Sequence, residues 1–178
     1  MPERISQTIL LCEDDEHERL VRAYLKACGH NTKEPYLRPR NASRAVNGGN
    51  VGWVIREFPN ELNACRKRHA NTLLIVVVDA DDFTTGERRE QLPCDPPLSS
   101  GDSVVILIPK RHVETWIRSA TGGKVNEVDD YKRPKPTNSQ IIDEAARTIR
   151  GWSRDNPTPG PTCVTSLRDA LPEWRRVG

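Results

Sequence analysis

The chain is poor in aromatic residues (5%) and has no apolar run approaching the roughly 20 residues of a membrane span, so no membrane partner is expected. Its N-terminus lacks the apolar core of a signal peptide, and the cytoplasm is therefore the expected compartment. Cysteine pairing is missing too. Cys12, Cys28, Cys65, Cys94 and Cys163 are odd in number, widely scattered and without a CxxC pair. With no HxxxH spacing either, a zinc cage or a disulfide framework is excluded, and reduced structural thiols are expected. No GK[ST] follows a glycine-rich loop. Asn47-Gly48-Gly49-Asn50-Val51-Gly52 matches neither the phosphate-loop nor the dinucleotide fingerprint and reads as a turn before a helix. There is no internal repeat, and a net charge of +2 selects no class of partner.

What the chain does have is an apolar run that stops on acid. Leu73-Leu74-Ile75-Val76-Val77-Val78 is followed by Asp79-Ala80-Asp81-Asp82. A short, β-branched run of this kind reads as a strand buried on both faces of a parallel sheet. Such sheets place ligands outside the carboxyl ends of their strands. Carboxylates crowded there repel one another and resist desolvation, which is the setting for a cation. The pattern recurs near the start, where Ile9-Leu10-Leu11-Cys12 runs into Glu13-Asp14-Asp15-Glu16.

Strands and helices alternate along the chain. Strands are expected over residues 6–12, 32–37, 73–78 and 103–108, the second an edge strand at best because of Pro35. Helices are expected over 16–28, 51–69, 113–120, 139–152 and 166–177. Gly29 is placed to cap the first, and Ser139 to start the fourth. Pro59 is expected to kink or restart the second helix, and Pro172 to interrupt the last. Residues 121–138 read as a loop rich in Gly, Pro and charge, and 156–161 as a stiff connector. The expected fold is α/β: a Rossmann-like, mostly parallel sheet flanked by helices, with a C-terminal helical extension packed on it. The division is 1–120 for the core, 121–138 for the loop and 139–178 for the extension.

Glu13 after one hydrophobic strand and Asp79-x-Asp81 after another resemble the Toprim domain of topoisomerases, primases and small or ATPase-linked nucleases such as the overcoming-lysogenization-defect family. The resemblance spans residues 5 to 120. In that family a glutamate ends the first strand and a DxD ends the third, and together they bind one or two Mg²⁺. The resemblance implies a Toprim-type nuclease, a metal-dependent phosphodiester hydrolase acting on DNA or RNA. It implies Mg²⁺ or Mn²⁺ as cofactor, and a prokaryotic anti-phage setting with an ATPase or another defence-system protein as partner. Carried over residue by residue, Glu13, Asp79 and Asp81 hold metal, and Glu13 serves as general acid or base. A sparse carboxylate set suits Mg²⁺, which keeps several waters. In an extended strand end, Asp79 and Asp81 would point to one side.

The segment Ile108-Pro109-Lys110-Arg111-His112-Val113-Glu114-Thr115-Trp116-Ile117 follows the fourth strand and belongs on the same edge. Glu114 is the candidate for a further metal ligand, against pairing with Arg111 or Arg118 on a helix. Lys110 or Arg111 is the candidate to neutralise transition-state charge, Lys110 being counted among the catalytic residues. Trp116 reads as core. Arg38, Arg40, Arg44 and Arg111 are the candidate nucleic-acid contacts, in a stretch that also holds Arg56 and Arg66-Lys67-Arg68-His69; Lys132, Arg133 and Lys135 form a second cluster. Asp15 and Glu16 read as first-turn acids favoured by the helix dipole, and Asp82 as the cap of the next turn or helix. His17 stands four residues after Glu13, on the first turn of the first helix and within reach of the site, but a surface histidine is the expectation. His112 is better placed without stronger chemistry.

Two other classes stay open. The opening Ile9–His17 also resembles a two-component receiver domain, with Asp79 as phosphoacceptor and Lys110 as its lysine, although the spacing from Asp15 to Asp79 is longer than receivers use. A Toprim fold serving only as a catalytically inactive binding module is the other.

Overall fold

The computed structural model describes residues 5–68, 71–134, 138–154 and 158–177. His69, Lys135, Asn156 and Pro157, which enter the expectations above, lie outside these residues. In chain order the elements are β1 (Gln7–Cys12), α1 (Asp15–Ala27), β2 (Leu37–Asn41), a single 3-10 turn (Ala42–Arg44), α2 (Val51–Lys67) and β3 (Thr72–Val77). Then follow α3 (Thr85–Glu90), β4 (Val104–Leu107), α4 (Val113–Ala120), α5 (Ser139–Arg154) and α6 (Thr165–Val177). The four strands form one sheet in the order β2-β1-β3-β4, and every pairing is parallel. This is the α/β architecture that the alternation of elements predicts.

The alternating side chains of β1 and β3 feed two cores. Leu10, Cys12, Leu73, Ile75 and Val77 face α1, α4, α5 and α6, while Ile9, Leu11, Leu74, Val76 and Val78 face α2. All six residues of β3 are buried, as a strand covered on both faces requires. The sheet brings Cys12 level with Val77 and with Asn41, and Val77 level with Leu107. The residues that follow β1, β3 and β4 therefore emerge at one edge. No helix among the described residues is long and apolar enough to cross a membrane.

Several boundaries differ from expectation, each for a local reason. Residues 33–36 form a turn closed by the Tyr36 and Leu37 N–H groups on the Lys33 carbonyl, so β2 begins at Leu37 and not at Thr32. It is an edge strand, where Pro39 is tolerated. The second helix runs unbroken through Pro59, anchored on both sides by Val54, Phe58 and Leu62 at four-residue spacing. The last helix likewise runs through Pro172, with Leu171 and Trp174 buried on either side. Asn138, not Ser139, caps α5 by accepting the Gln140 N–H. The helix that follows Asp82, α3, starts at a capping box in which Thr84 and Glu87 satisfy each other's backbone N–H. Asp82 has no part in it and pairs with Arg111. Asp15 and Glu16 do lie in the first turn of α1, and Trp116 is fully buried.

A candidate metal centre at the carboxyl edge

The end of β1 is tied to the end of β3 by one side chain. A Glu13 carboxylate oxygen accepts the Asp79 N–H at 2.7 Å. Burial, reinforced by Asp79 and Asp81 and opposed by His17, raises Glu13 to about 7. Next in the chain, Asp14 caps α1: its Oδ1 accepts the N–H of Glu16 at 3.0 Å and of His17 at 3.1 Å. That cap fixes the first turn, and the turn aims His17 back into the protein.

His17 is fully buried, contrary to the surface position expected for it. Its Nε2 lies 2.9 Å from Asp79 Oδ1 and its Nδ1 lies 3.3 Å from Asp14 Oδ1. Burial opposes its charge, yet Asp79, then Asp14 and Glu13, outweigh that and raise it to about 10. Asp79 is its counterpart, at 3% exposure. Burial alone would raise this carboxyl, but His17 and His112 hold it at about 2. The two form a buried ion pair inside the edge.

Asp81 reaches the same place by another route than an extended strand. β3 ends at Val77, the Ala80 N–H bonds the Pro109 carbonyl, and the chain turns so that the Phe83 N–H returns to the Ala80 carbonyl. Asp81 takes a left-handed φ of 52° within this turn. The turn, not strand alternation, brings its carboxylate beside that of Asp79. His112 stands between them. Its Nδ1 is 3.4 Å from Asp79 Oδ2 and 3.7 Å from Asp81 Oδ1. Asp79, Asp81 and His112 each present a ligand atom within 4.8 Å of the others.

Glu114, in the first turn of α4, is buried, and burial followed by Asp79 and Asp14 raises its carboxyl. Pairing with Arg111 or Arg118 is not its role, since Arg111 goes to Asp82 at 2.8 Å and Arg118 to the Pro134 carbonyl at 2.8 Å. Lys110 is turned to the backbone. Its Nζ donates to the Phe83 carbonyl at 2.5 Å and lies 3.5 Å from that of Asp81, so it braces the turn that carries Asp81. Arg88, buried under the same turn, lies 3.7 Å from the Asp81 carboxylate and 3.3 Å from the Ala80 carbonyl.

Of the basic candidates, Arg111 follows β4 at this edge, and Arg38, Arg40 and Arg44 lie along β2 and the turn after it. Arg44 is paired with Asp15 at 2.7 Å and Glu18 at 3.1 Å. Arg40 is paired with Glu57 at 3.1 Å and Glu61 at 3.5 Å and sits over the Trp53 ring. Arg38 is exposed. Ion pairing takes up much of the positive charge that the sequence suggests here.

The donor chemistry fits a divalent cation. Asp79 and Asp81 meet at this edge with Glu13 and Glu114 near them, and burial, followed by the neighbouring carboxylates, raises the proton affinity of both glutamates. Oxygen donors suit Mg²⁺ and Mn²⁺. Sequence reasoning weighs His17 and His112 and sets both aside, and it passes over Asp130, whose Oδ1 lies 3.6 Å from His112 Nε2. The available signal was spacing: His17 stands three residues after the cap Asp14, and His112 two before Glu114. Comparison with known protein families, curated proteins and solved structures returns no match.

Proposed function

We propose that this protein is a divalent-metal-dependent phosphodiester hydrolase, a nuclease of Toprim type acting on DNA or RNA. The observation that carries the reading is the grouping of Asp79, Asp81 and His112 within 4.8 Å, with Glu13 bonded to the Asp79 amide and Glu114 close enough to feel the Asp79 charge. Asp79 and Asp81 would hold the cation, Mg²⁺ or Mn²⁺, with Glu114 beside them. Once bound, such an ion polarises a phosphate oxygen and lowers the pKa of its water.

The chain's own residues supply the rest. Glu13, at about 7, is poised to take or give a proton near neutral pH. His17 holds Asp79 ionised and oriented. Lys110 and Arg88 fix the turn that presents Asp81. Arg111, 28% exposed at the same edge, and the exposed Arg38 are the groups best placed to meet a phosphate backbone.

The receiver-like reading is weaker on two counts. A phosphoacceptor needs an accessible oxygen, whereas Asp79 is almost fully buried with one oxygen bonded to His17 and the other facing His112. The lysine expected to meet its phosphoryl group points instead at backbone carbonyls.

The test is cleavage of labelled plasmid DNA and structured RNA with Mg²⁺ or Mn²⁺. Wild type is compared with Glu13→Gln and Asp81→Asn, each verified as folded by circular dichroism. Metal-dependent cleavage that falls about a hundredfold or more in both variants is expected. Cleavage that persists in both, or none by wild type with either substrate, overturns the nuclease reading.

A further inference from the structure

The two histidines at this edge divide the two oxygens of Asp79, and they are not equivalent. His17 is a buried ion-pair partner on Oδ1, with its other nitrogen facing the capping carboxylate Asp14. His112 faces Oδ2 and belongs to a different chain of contacts. It occupies the N-cap position of α4 but makes no capping hydrogen bond, so its ring is free for another task. It is 4% exposed, and its Nε2 is buried without a hydrogen-bond partner. That nitrogen points outward at Asp130 Oδ1, 3.6 Å away on the loop between α4 and α5.

We propose that His112 is a metal ligand through Nδ1 and that Asp130 is the positioning residue that orients it, an inference that rests on the metal-dependent reading above. A carboxylate behind one imidazole nitrogen keeps the proton there and leaves the opposite lone pair for a cation. Here the opposite nitrogen is Nδ1: it meets Asp79 Oδ2 at 3.4 Å as a hydrogen-bond partner when it carries the proton, and with the proton on Nε2 its lone pair joins the Asp79 and Asp81 oxygens as a ligand set. A shift of a few tenths of an ångström brings the Asp130 contact into hydrogen-bond range. The Asp130 carboxylate is already braced, since Oδ1 accepts the Lys132 N–H at 2.8 Å.

The consequence is metal choice. Mg²⁺ favours an all-oxygen shell, while an imidazole nitrogen raises the affinity of first-row transition ions. The site therefore selects Mn²⁺ over Mg²⁺, a preference that the carboxylates alone would not give. It also makes the loop bearing Asp130 part of the site.

The test is pulsed electron paramagnetic resonance of the full-length protein with Mn²⁺ alone, beside Mn²⁺ and Mg²⁺ titrations. Wild type is expected to show nitrogen-14 modulation from a directly bound imidazole, and His112→Gln to lose it. Asp130→Asn, at an exposed loop position that leaves the core untouched, is expected to bind Mn²⁺ about 10- to 100-fold more weakly. It should bind Mg²⁺ nearly as wild type does. Bound Mn²⁺ without nitrogen modulation, or an Asp130→Asn variant with wild-type Mn²⁺ affinity, overturns the proposal even where metal-dependent cleavage is intact. No Mn²⁺ binding together with no cleavage overturns this proposal and the nuclease reading at once.

Discussion

At the scale of single residues, the edge is governed by how charges are compensated without water. Asp79 is tolerable in its buried position because His17 is charged beside it. Removing one member of such a pair strands the other, a loss of about 3–5 kcal/mol. His17→Ala is therefore expected to lower stability by that order in urea denaturation, and an effect under about 1 kcal/mol would mean that the pair is not ionised. Glu13 acts with the opposite sign. Its carboxyl is raised from 4.5 to about 7, so its ionisation costs stability, progressively from pH 4.5 to about 7. His17, raised from 6.5 to about 10, stabilises fully below 6.5 and less as the pH rises toward 10. Asp79, lowered from 3.8 to about 2, stabilises fully above 3.8 and loses this as the pH falls through about 2. Metal-free protein is thus expected to melt at lower temperature as the pH is raised from about 5 to 8, and Glu13→Gln to lose part of that slope. A divalent ion should restore more stability at the upper pH than at the lower. Thermal melts in chelator and in Mn²⁺ check both statements.

Glu13 and Asp79 could be read in the sequence because each closely follows an apolar strand, and Glu114 because it opens the helix after β4. The histidines could not, because their burial depends on contacts that local pattern does not carry. Asp79 lies 62 residues from His17 and 33 from His112. The position of Asp81 was anticipated for the wrong reason: a left-handed residue in a turn does what strand alternation was expected to do.

At the scale of elements, caps set where site residues point. Asp14 starts α1 and so aims His17; the Thr84–Glu87 box starts α3 and so closes the turn that carries Asp81. Asp14→Ala is expected to cost about 1 kcal/mol and also to weaken metal affinity through His17, whereas Thr84→Ala should cost a similar amount. Calorimetric metal titration beside denaturation separates the two effects. If Asp14→Ala lowers stability and leaves metal affinity untouched, the cap does not orient the site. Strand and helix periodicity was sufficient to find the sheet. It could not foresee that α2 and α6 pass through proline, because anchoring of both halves on the core decides that.

At the scale of the whole molecule, the C-terminal helices belong to the core that supports the edge. Trp174 of α6 is fully buried, 4.3 Å between ring centroids from Tyr24 of α1 and 6.4 Å from Trp116 of α4. The Tyr24 hydroxyl donates to the Trp174 carbonyl at 2.8 Å. Trp174→Ala is expected to lose about 3–5 kcal/mol, enough to unfold much of a marginally stable domain, as urea melts would show. A chain that unfolds at wild-type denaturant would mean that α6 is dispensable.

The Glu13 clasp on the Asp79 amide gives the molecule a built-in clock. That one hydrogen is gripped across 66 residues of chain by a side chain that also titrates near neutral pH. It exchanges with solvent when the Glu13 hydrogen bond breaks, so its exchange rate, corrected for the intrinsic pH dependence of amide exchange, times the opening of that clasp. Seen in this way, a single backbone proton records how often the clasp comes undone, at each pH and in the presence of each ion, without any need for turnover.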